Sequence, residues 1–124
     1  MTISDKLRSL SLLFVLDGSS WVVDGDTFVL KYERIRVWGL DCPERKWTDG
    51  LQAKYEARLL LEGNEIQLHR QGKDPWGRTV ARVIVRRTSH NESFTFDFAC
   101  AMIQKGVCWE YEDFSKGYYK RCKP

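Results

Sequence analysis

The stretch DCPE (residues 41–44) carries two carboxylates, Asp41 and Glu44, separated by a cysteine and a proline. Two like charges at this spacing repel one another unless a positive group lies between or beside them. A salt bridge to a basic side chain in a surface turn would supply that group. A bound metal ion next to a general base would supply it as well, so this stretch alone leaves both interpretations open.

Asp26, in the earlier stretch DGDT (24–27), is the residue that favours the metal. Asp26 and Asp41 offer the hard oxygen atoms that Ca²⁺ and Mg²⁺ prefer as ligands. A divalent cation between these two carboxylates would remove their repulsion, and Glu44 would then be free to take a proton from water. The three carboxylates together predict a hydrolytic metal site.

Two arginines supply the positive charge that hydrolysis of a phosphodiester needs. Arg36 lies in RIRVWGLDCPE (34–44), and Arg78 ends DPWGR (74–78). A guanidinium group presents a planar fork of N–H donors that matches the oxygen atoms of a phosphate. We expect both arginines to hold the phosphate charge more tightly in the transition state than in the ground state.

Each of these residues also has a purely structural interpretation. Asp24 and Asp26 would make an Asx turn, and we assign Asp24 to bracing that turn rather than to binding metal. Arg36 would pair with a carboxylate across a hairpin, Arg78 would begin a strand, and Glu44 would cap a helix. Singly, these interpretations are as well supported as the catalytic ones, and only the joint occurrence of the motifs in order favours the site.

The hydrophobic pattern around these residues predicts mostly strands. Apolar runs, several of them alternating or β-branched, predict strands at residues 10–16, 20–23, 27–32, 33–40, 65–70 and 79–86, with short extended pieces at 94–96 and 107–112. Because 20–23 continues the run 10–16 after a Gly-Ser break, these are about five main strands, and with a helix after the third and another after the fifth they predict a mainly β fold with about two helices. The architecture that fits this order is a small closed, five-stranded β-barrel of the OB type.

Two helices interrupt the predicted strands. The first begins with Thr48 or Asp49 as its N-terminal cap and stops at Gly63. Its larger apolar residues recur every four positions, at Leu51, Tyr55 and Leu59. The second helix is capped by Asp97 and stops at Gly106.

Composition narrows the class of protein. The 124 residues suit one domain, and the net charge of +3 is far below that of a histone-like binder. Six Phe, five Tyr and five Trp are enough to fill a small core or to stack on bases.

Neither the two histidines nor the four cysteines have the spacing of a zinc site. The scatter of the cysteines favours free thiols over disulfides, although their even number allows pairing; they are Cys42, Cys100, Cys108 and Cys122.

The N-terminal segment, residues 1–19, has two interpretations that bear on localisation. Lys6 and Arg8 precede the apolar run 10–16 and a Gly-Ser-Ser sequence follows it, which resembles a short signal peptide. The alternative, which we favour, is a buried first β-strand. A buried strand would favour a cytoplasmic protein, whereas a signal peptide would direct the protein to secretion or to the periplasm. No apolar run is long enough to span a bilayer as a helix.

Four stretches occur in a fixed order at compatible spacing, namely DGDT, RIRVWGLDCPE, DPWGR and IQKG (103–106). Together they resemble the staphylococcal nuclease-like (thermonuclease) family over about residues 20–119. The resemblance implies an OB-fold endonuclease that hydrolyses DNA and RNA, prefers single strands and leaves 3′-phosphates. It divides the chain into the N-terminal segment, an OB-fold nuclease domain at 20–112, and a basic and aromatic tail at 113–124.

The family resemblance also implies a role for each motif residue. Asp26 and Asp41 bind Ca²⁺, with the backbone carbonyl of Cys42 as a further ligand, and Glu44 is the general base. The choice of Ca²⁺ over Mg²⁺ comes from the resemblance, because carboxylates bind both ions.

The two arginines and three aromatic residues complete the implied site. Arg36 and Arg78 are the catalytic pair that stabilises phosphate charge. Trp76, Trp109 and Tyr111 lie where the family places aromatic residues near the nucleotide, although Trp109 and Tyr111 have packing at the barrel mouth as an equal alternative.

The sequence departs from the family pattern at several positions. Cys42 stands where Thr or Ala is common, Trp76 where Tyr is common, and Pro75 where the best-known member has Lys. These changes bear on rate and substrate preference more than on metal binding. The tail FSKGYYKRCKP (114–124) shows no sign of the long C-terminal helix that packs on the family's barrel. We therefore expect exposed apolar surface there, and with it a homodimer or a protein partner.

A second function from another class fits the same barrel. A non-catalytic OB-fold module would hold single-stranded DNA or RNA by basic and aromatic side chains without cutting it. Glu44 favours the enzyme over this module, because a carboxylate beside a bound phosphate would only repel the ligand.

Overall fold

The computed structural model describes residues 19–44 and 46–124 of the chain, so the strand predicted at 10–16 lies outside the described residues. The strands are β1 Trp21–Asp24, β2 Thr27–Leu30, β3 Glu33–Val37, β4 Leu40–Asp41, β5 Glu65–Lys73, β6 Thr79–Ser89, β7 Glu92–Asp97 and β8 Trp109–Glu110. The helices are α1 Thr48–Leu61, α2 Phe98–Gln104, the single turn α3 Glu112–Ser115 and a 3₁₀ turn at Lys120–Cys122.

Six of the strands form one mixed sheet in the order β1-β2-β3-β6-β5, with β7 also paired to β6. Strands β3 and β6 run parallel, the other pairs are antiparallel, and β4 and β8 make a separate two-stranded sheet. The prediction of a mainly β fold with a few helices is confirmed. The described strands form an open sheet rather than a closed five-stranded barrel, because the long strand β6 pairs with β3 along its first residues and with β7 along its last.

One face of the sheet and two helices enclose the core. Alternate residues of β6 point inward, as the β-branched pattern predicts, and α1 packs on β1 while α2 packs on β6. The fully buried side chains include Ile35, Val37, Ile66, Ala81, Val83, Val85, Phe98 and Met102. Each large apolar side chain removed from water in this way stabilises the fold by about 1.5–3 kcal/mol.

Helix α1 packs through two alanines and, at its C-terminal end, through Leu60 and Leu61. Ala53 and Ala57 are fully buried, and they allow the helix to approach the sheet closely. The side chains that recur every four positions are instead exposed, at Leu51, Tyr55 and Leu59. The pattern therefore predicted the helix but not the face by which it packs.

One of the two predicted helix caps is confirmed. Asp97 caps α2, since its Oδ1 accepts the backbone N–H of Cys100 at 3.1 Å. The prediction of Thr48 or Asp49 as the cap of α1 is wrong, because Trp47 occupies that position and makes no side-chain cap bond. None of the described helices is long and apolar enough to cross a bilayer.

All four cysteines are paired, so the expectation of free thiols is wrong. Cys42 bonds to Cys108, and Cys100 bonds to Cys122. The pairs lie 66 and 22 residues apart in the chain, and only the folded sheet brings them together.

The tail after α3 packs on the domain. Tyr119 and Cys122 are buried in the core cluster, and the Tyr119 hydroxyl donates to Asp97 Oδ2 at 2.9 Å. This packing removes the main reason for expecting a dimer or partner over an uncovered core. Phe114 and Tyr118 nevertheless keep exposed rings on this side of the molecule.

We expect the Cys100–Cys122 bridge to be a major source of stability. Replacing both residues by Ala should lower the free energy of unfolding by about 3 kcal/mol, because the bridge restrains a 22-residue loop in the unfolded chain. Urea titration at pH 7 without reductant measures this loss. A loss below about 1 kcal/mol would contradict a stabilising bridge, and reduction of the wild type with a dithiol serves as the comparison.

Candidate active site

The DGDT turn joins β1 to β2 and carries Asp26 into the site. The backbone N–H of Asp26 donates to Asp24 Oδ1 at 3.2 Å, as in the predicted Asx turn. Gly25 lies so close to Cys42 that an added Cβ would sit 2.8 Å from its Sγ atom. A side chain at position 25 would therefore push the turn away from the Cys42–Cys108 disulfide beside it.

Asp26 is a buried carboxylate with a small set of donors. Its side chain is 12% exposed; Oδ1 accepts the Thr27 hydroxyl at 2.9 Å, and Oδ2 accepts the backbone N–H of Cys42 at 3.0 Å. Burial raises the pKa of Asp26 to about 7, although the positive charge of Arg36 acts in the opposite direction. The positive charge of Arg36 therefore does not fully offset the cost of burying the ionised carboxylate of Asp26.

Arg36 is the positive group that lies between the two aspartates. Its Nη1 is 3.7 Å from Asp26 Oδ2, and its Nη2 is 3.7 Å from Asp41 Oδ1. Nη1 also donates to the backbone carbonyls of Val37 at 3.0 Å and Leu40 at 2.6 Å. The hairpin ion pair considered for Arg36 is thus present, and it holds Asp26 and Asp41 on either side of one guanidinium.

Glu44 lies in the loop between β4 and α1. Its side chain is 73% exposed, and Oε2 is 3.4 Å from the Nζ atom of Lys46. The helix-cap interpretation is wrong, because the carboxylate of Glu44 makes no hydrogen bond to a described backbone N–H. Its backbone carbonyl, by contrast, accepts the N–H of Trp47 at 3.0 Å. The carboxylate is therefore accessible to a water molecule and a substrate.

Arg78 is fixed by Asp74, its partner within the DPWGR loop. Asp74 Oδ2 accepts Nε–H of Arg78 at 2.6 Å, while Oδ1 accepts the backbone N–H groups of Trp76 and Arg78 at 3.0 and 2.9 Å. Burial alone would raise the pKa of Asp74, but the donors of Arg78 hold it below its usual value. The two terminal nitrogens of Arg78 have no hydrogen-bond partner among residues 19–44 and 46–124, so they remain available to an anion.

An open cleft of about 610 Å³ brings two of the predicted catalytic residues together. Its lining consists of Val23, Asp24, Thr27, Val29, Arg34, Glu44, Lys46 and Arg78. Glu44 and Arg78 therefore share one cleft. Asp26, Arg36 and Asp41 are not part of this lining, but Thr27, which bonds to Asp26 and pairs in register with Arg36, forms part of it.

The three predicted aromatic contacts differ in exposure. Trp76 is 71% exposed, and its ring lies 5.7 Å from the Arg78 guanidinium carbon. Trp109 is half-exposed and pairs in register with Asp41 in the β4–β8 sheet. Tyr111 is partly buried and packs edge-on against Phe114 at 4.9 Å. Trp76 and Trp109 thus present free ring surface, whereas Tyr111 has a packing role.

Four residues of the site were not predicted from the sequence. Asp74 holds Arg78, Thr27 donates to Asp26, and Arg34 and Lys46 line the cleft. A signal existed for Arg34, because it lies two residues before Arg36 on a strand and must share its face. The ion pair of Asp74 with Arg78 could also have been predicted, since Asp74 lies four residues before Arg78 in a tight loop.

The oxygen donors beside Arg36 are compatible with a divalent cation. Asp26 and Asp41 supply two carboxylates, and the backbone carbonyl of Cys42 stays a predicted third donor; Ca²⁺ accepts about six to eight such oxygens, including water. The raised pKa of Asp26 fits this interpretation, because a cation would stabilise its ionised form. No group of three His, Cys, Asp or Glu side chains in the described chain forms a ready-made metal site, so carbonyls and water would complete the shell.

Asp26→Asn should stabilise the metal-free protein at pH 8. Folding raises the pKa of the Asp26 carboxyl from its ordinary value of 3.8 to about 7. The stability contributed by the neutral carboxyl is therefore complete below pH 3.8 and is lost as the pH rises through about 7. Asn keeps the neutral charge at every pH, and we expect a gain on the order of 2 kcal/mol at pH 8 and little at pH 4.

Thermal melting in chelator at both pH values measures this gain, with Asp49→Asn on the exposed start of α1 as the control. Added Ca²⁺ should raise the melting temperature of the wild type but not that of Asp26→Asn. Equal responses to Ca²⁺ would contradict Asp26 as a ligand.

Comparison with known proteins adds to this geometry. A family model described as staphylococcal nuclease homologue matches residues 34–123 of the chain. A Haemophilus influenzae protein named "Uncharacterized endonuclease" is 27% identical over 99 residues, covering 76% of this chain and 51% of that protein. A rice protein (Oryza sativa subsp. japonica) named "Probable staphylococcal-like nuclease CAN1" is 25% identical over 92 residues, covering 74% of this chain and 25% of that protein.

A third relative, an "Uncharacterized 38.1 kDa protein" of Capnoides sempervirens, is 29% identical over 106 residues, covering 82% of this chain and 29% of that protein. The chain thus spans about half the length of one relative and less than a third of the other two. The family model covers most of the described residues, including Arg36, Asp41, Glu44 and Arg78, and the mixed sheet is consistent with the OB-like fold of that family. The chain belongs to the staphylococcal nuclease homologue family.

Proposed function

We propose that the protein is a Ca²⁺-dependent endonuclease that hydrolyses phosphodiester bonds in single-stranded DNA and RNA. The observation that carries the proposal is the shared cleft of Glu44 and Arg78, in which an accessible carboxylate and a fixed guanidinium line the same space. Names of two relatives, an endonuclease and a staphylococcal-like nuclease, support the same class of activity.

Glu44 is the general base of the proposed reaction. Its exposed carboxylate takes a proton from the water that attacks phosphorus. The bond from phosphorus to the 5′ oxygen of the next nucleotide breaks, that oxygen takes a proton from solvent, and a 3′-phosphate remains. Lys46, at 3.4 Å, neutralises the charge of Glu44 and so limits its repulsion of the incoming phosphate.

Arg78 binds the phosphate in this mechanism. Asp74 holds its Nε, which directs the remaining N–H groups and fixes the guanidinium before the substrate arrives. Arg36 is less accessible than Arg78. It orients Asp26 and Asp41 and also adds positive charge beside the phosphate. Ca²⁺, held by these two carboxylates and the Cys42 carbonyl, would neutralise phosphate charge when bound.

A single-strand binding module that cuts nothing is the second candidate. The exposed rings of Trp76 and Trp109 favour it, because bases stack on free aromatic surface. Trp109 lies beside Asp41 and Trp76 beside Arg78, so both rings border the proposed reaction site. The two candidates therefore differ in chemistry rather than in the ligand.

The test is cleavage of single-stranded DNA and of RNA with excess Ca²⁺, with excess Mg²⁺ and with chelator. Cutting that requires Ca²⁺ and leaves 3′-phosphate ends supports the proposed enzyme. Binding of both nucleic acids without cutting in any of the three buffers would overturn it in favour of the binding module. Cutting that is unaffected by chelator would overturn the metal dependence.

We also propose that the protein works in an oxidising compartment. Two disulfides support this, because structural disulfides persist outside the reducing cytosol. The signal-peptide interpretation of residues 1–19, which the sequence alone placed second to a buried strand, agrees with such a compartment. Mass spectrometry of alkylated protein from its native source would show two intact bridges, and four alkylated cysteines would overturn the proposal.

A further inference from the structure

The register of the first three strands arranges the outer face of the sheet in rows. Paired residues of neighbouring strands project to the same face. Val22, Phe28 and Ile35 form one such row, and all three are buried on the core side. The paired residues on either side of this row form rows on the opposite, outer face; on β1 an irregularity between Val22 and Asp24 brings Asp24 rather than Val23 into register.

The first outer row belongs to the proposed reaction site. Asp24, Thr27 and Arg36 are paired across β1, β2 and β3. Thr27 donates to the buried carboxylate of Asp26, and Arg36 lies 3.7 Å from the same carboxylate. In the proposed reaction, this row lies where the scissile phosphate binds.

The second outer row runs beside the first and has no role in the proposed reaction. Trp21, Val29 and Arg34 are paired across the same three strands. The row lies two residues along β2 and β3 from the first, or about 6.6 Å. Val29 and Arg34 both line the cleft of Glu44 and Arg78, and Trp21 continues the row beyond that lining.

Arg34 in this row is held in place but its charge is not neutralised. Its Nη2 donates to the backbone carbonyl of Trp76 at 2.6 Å, and it makes no ion pair with a described residue. Arg70, on the same sheet, is by contrast paired to Glu33 at 2.6 Å. Arg34 therefore offers the remaining N–H groups of a fixed, uncompensated cation to the cleft.

Trp21 at the other end of the row offers an aromatic face. It is 41% exposed, whereas Val29 between the two side chains is 4% exposed and forms an apolar floor. Two strand spacings separate Trp21 from Arg34, or roughly 10 Å. A cation and an aromatic ring over an apolar floor are the elements that bind a nucleotide by its phosphate and its base.

We propose that Trp21, Val29 and Arg34 form a second nucleotide subsite, which binds the residue adjacent to the scissile phosphate in a single-stranded nucleic acid. Arg34 binds the neighbouring internucleotide phosphate, and the base stacks on Trp21. This subsite rests on the proposed nuclease function, and it makes cleavage depend on substrate length.

The experiment compares two substrates in excess Ca²⁺. One is a single-stranded octanucleotide, and the other is a nitrophenyl phosphodiester of one nucleoside, which has no neighbouring phosphate. For Arg34→Gln we expect the ratio of kcat/KM between the octanucleotide and the diester to fall about tenfold. For Trp21→Ala we expect a fall of about fivefold or more, as for the loss of one base stack. Arg58→Gln, an exposed arginine of α1, is the control and should leave the ratio unchanged.

An equal loss on both substrates would overturn the subsite, because it would show that Arg34 acts only by supporting the DPWGR loop. An unchanged ratio in Arg34→Gln would overturn it as well. Failure of the nuclease proposal is recognised separately, because the wild type would then cut neither substrate.

In that case binding of the octanucleotide over a range of salt concentrations tests the subsite directly. Arg34→Gln should reduce the slope of log K against log salt by about 0.7, as for one lost phosphate contact on a single strand. A slope equal to that of Arg58→Gln would overturn the subsite.

Discussion

Glu44→Gln is expected to lower kcat on single-stranded DNA by about three orders of magnitude, within the range that a general base contributes. Gln has nearly the same shape but cannot take a proton from water. The side chain is 73% exposed and, among residues 19–44 and 46–124, pairs with Lys46 alone, so the substitution should leave the melting temperature unchanged. Loss of one negative charge from the cleft should leave the Kd for the same DNA unchanged or slightly tighter.

Single-turnover cleavage and fluorescence anisotropy separate these two effects. Glu62→Gln, at the exposed end of α1, is the matched control and should cut at the wild-type rate. A residual rate within a few-fold of wild type would assign the base to another group. The cleft offers one other carboxylate for that role, Asp24, which braces the turn through the N–H of Asp26.

Local features of the fold were the ones that the sequence predicted well. The β-branched residues along 79–86 predicted β6 because each of them contributes its own preference for the extended backbone. Asp97 predicted the start of α2 because a cap needs only a side chain and a backbone N–H three residues on. These signals act between neighbours in the chain, so no knowledge of the tertiary structure is needed to read them.

Features that depend on distant parts of the chain were the ones that failed. Cys42 meets Cys108 only because β4 pairs with β8, a contact of two residues on each strand that leaves no strong pattern. The packed face of α1 was not predicted because Ala53 and Ala57, which carry little apolar surface, form most of its length, and Leu60 and Leu61 join them only at the end of the helix. The open sheet follows from β6 being long enough to pair with three strands, which alternation alone does not reveal.

The candidate site divides in the same way. Its motif residues could be named from type and order, but their division into two groups could not. Glu44 and Arg78 line the cleft, whereas Asp26 and Asp41 lie on either side of Arg36. The division depends on the register of β2 and β3 and on the loop after β4, and it gives Arg36 the ion-pairing role that the sequence offered only as the alternative to catalysis.

Arg36→Gln is therefore expected to damage both activity and stability. Its guanidinium is the nearby positive charge for the buried Asp26 and also contacts Asp41. Removing one partner of a largely buried ion pair leaves the other charge uncompensated, and we expect a loss of about 2–3 kcal/mol in the free energy of unfolding at pH 8. Activity should fall by about a hundredfold to a thousandfold, since an electrostatic contact to the reacting phosphate and the orientation of both aspartates are lost together.

A double-mutant cycle with Asp26→Asn separates the two tasks. If Arg36 stabilises the fold by compensating Asp26, Arg36→Gln should cost much less in the Asp26→Asn background, with a coupling of about 1–2 kcal/mol at pH 8. The coupling should shrink at pH 5, where the carboxyl of Asp26, with its pKa raised to about 7, is protonated in the folded protein. Activity should stay low in the double variant. Urea titrations of the four proteins at both pH values measure the coupling, and a value near zero at pH 8 would show that Arg36 stabilises the fold through its bonds to the carbonyls of Val37 and Leu40 instead.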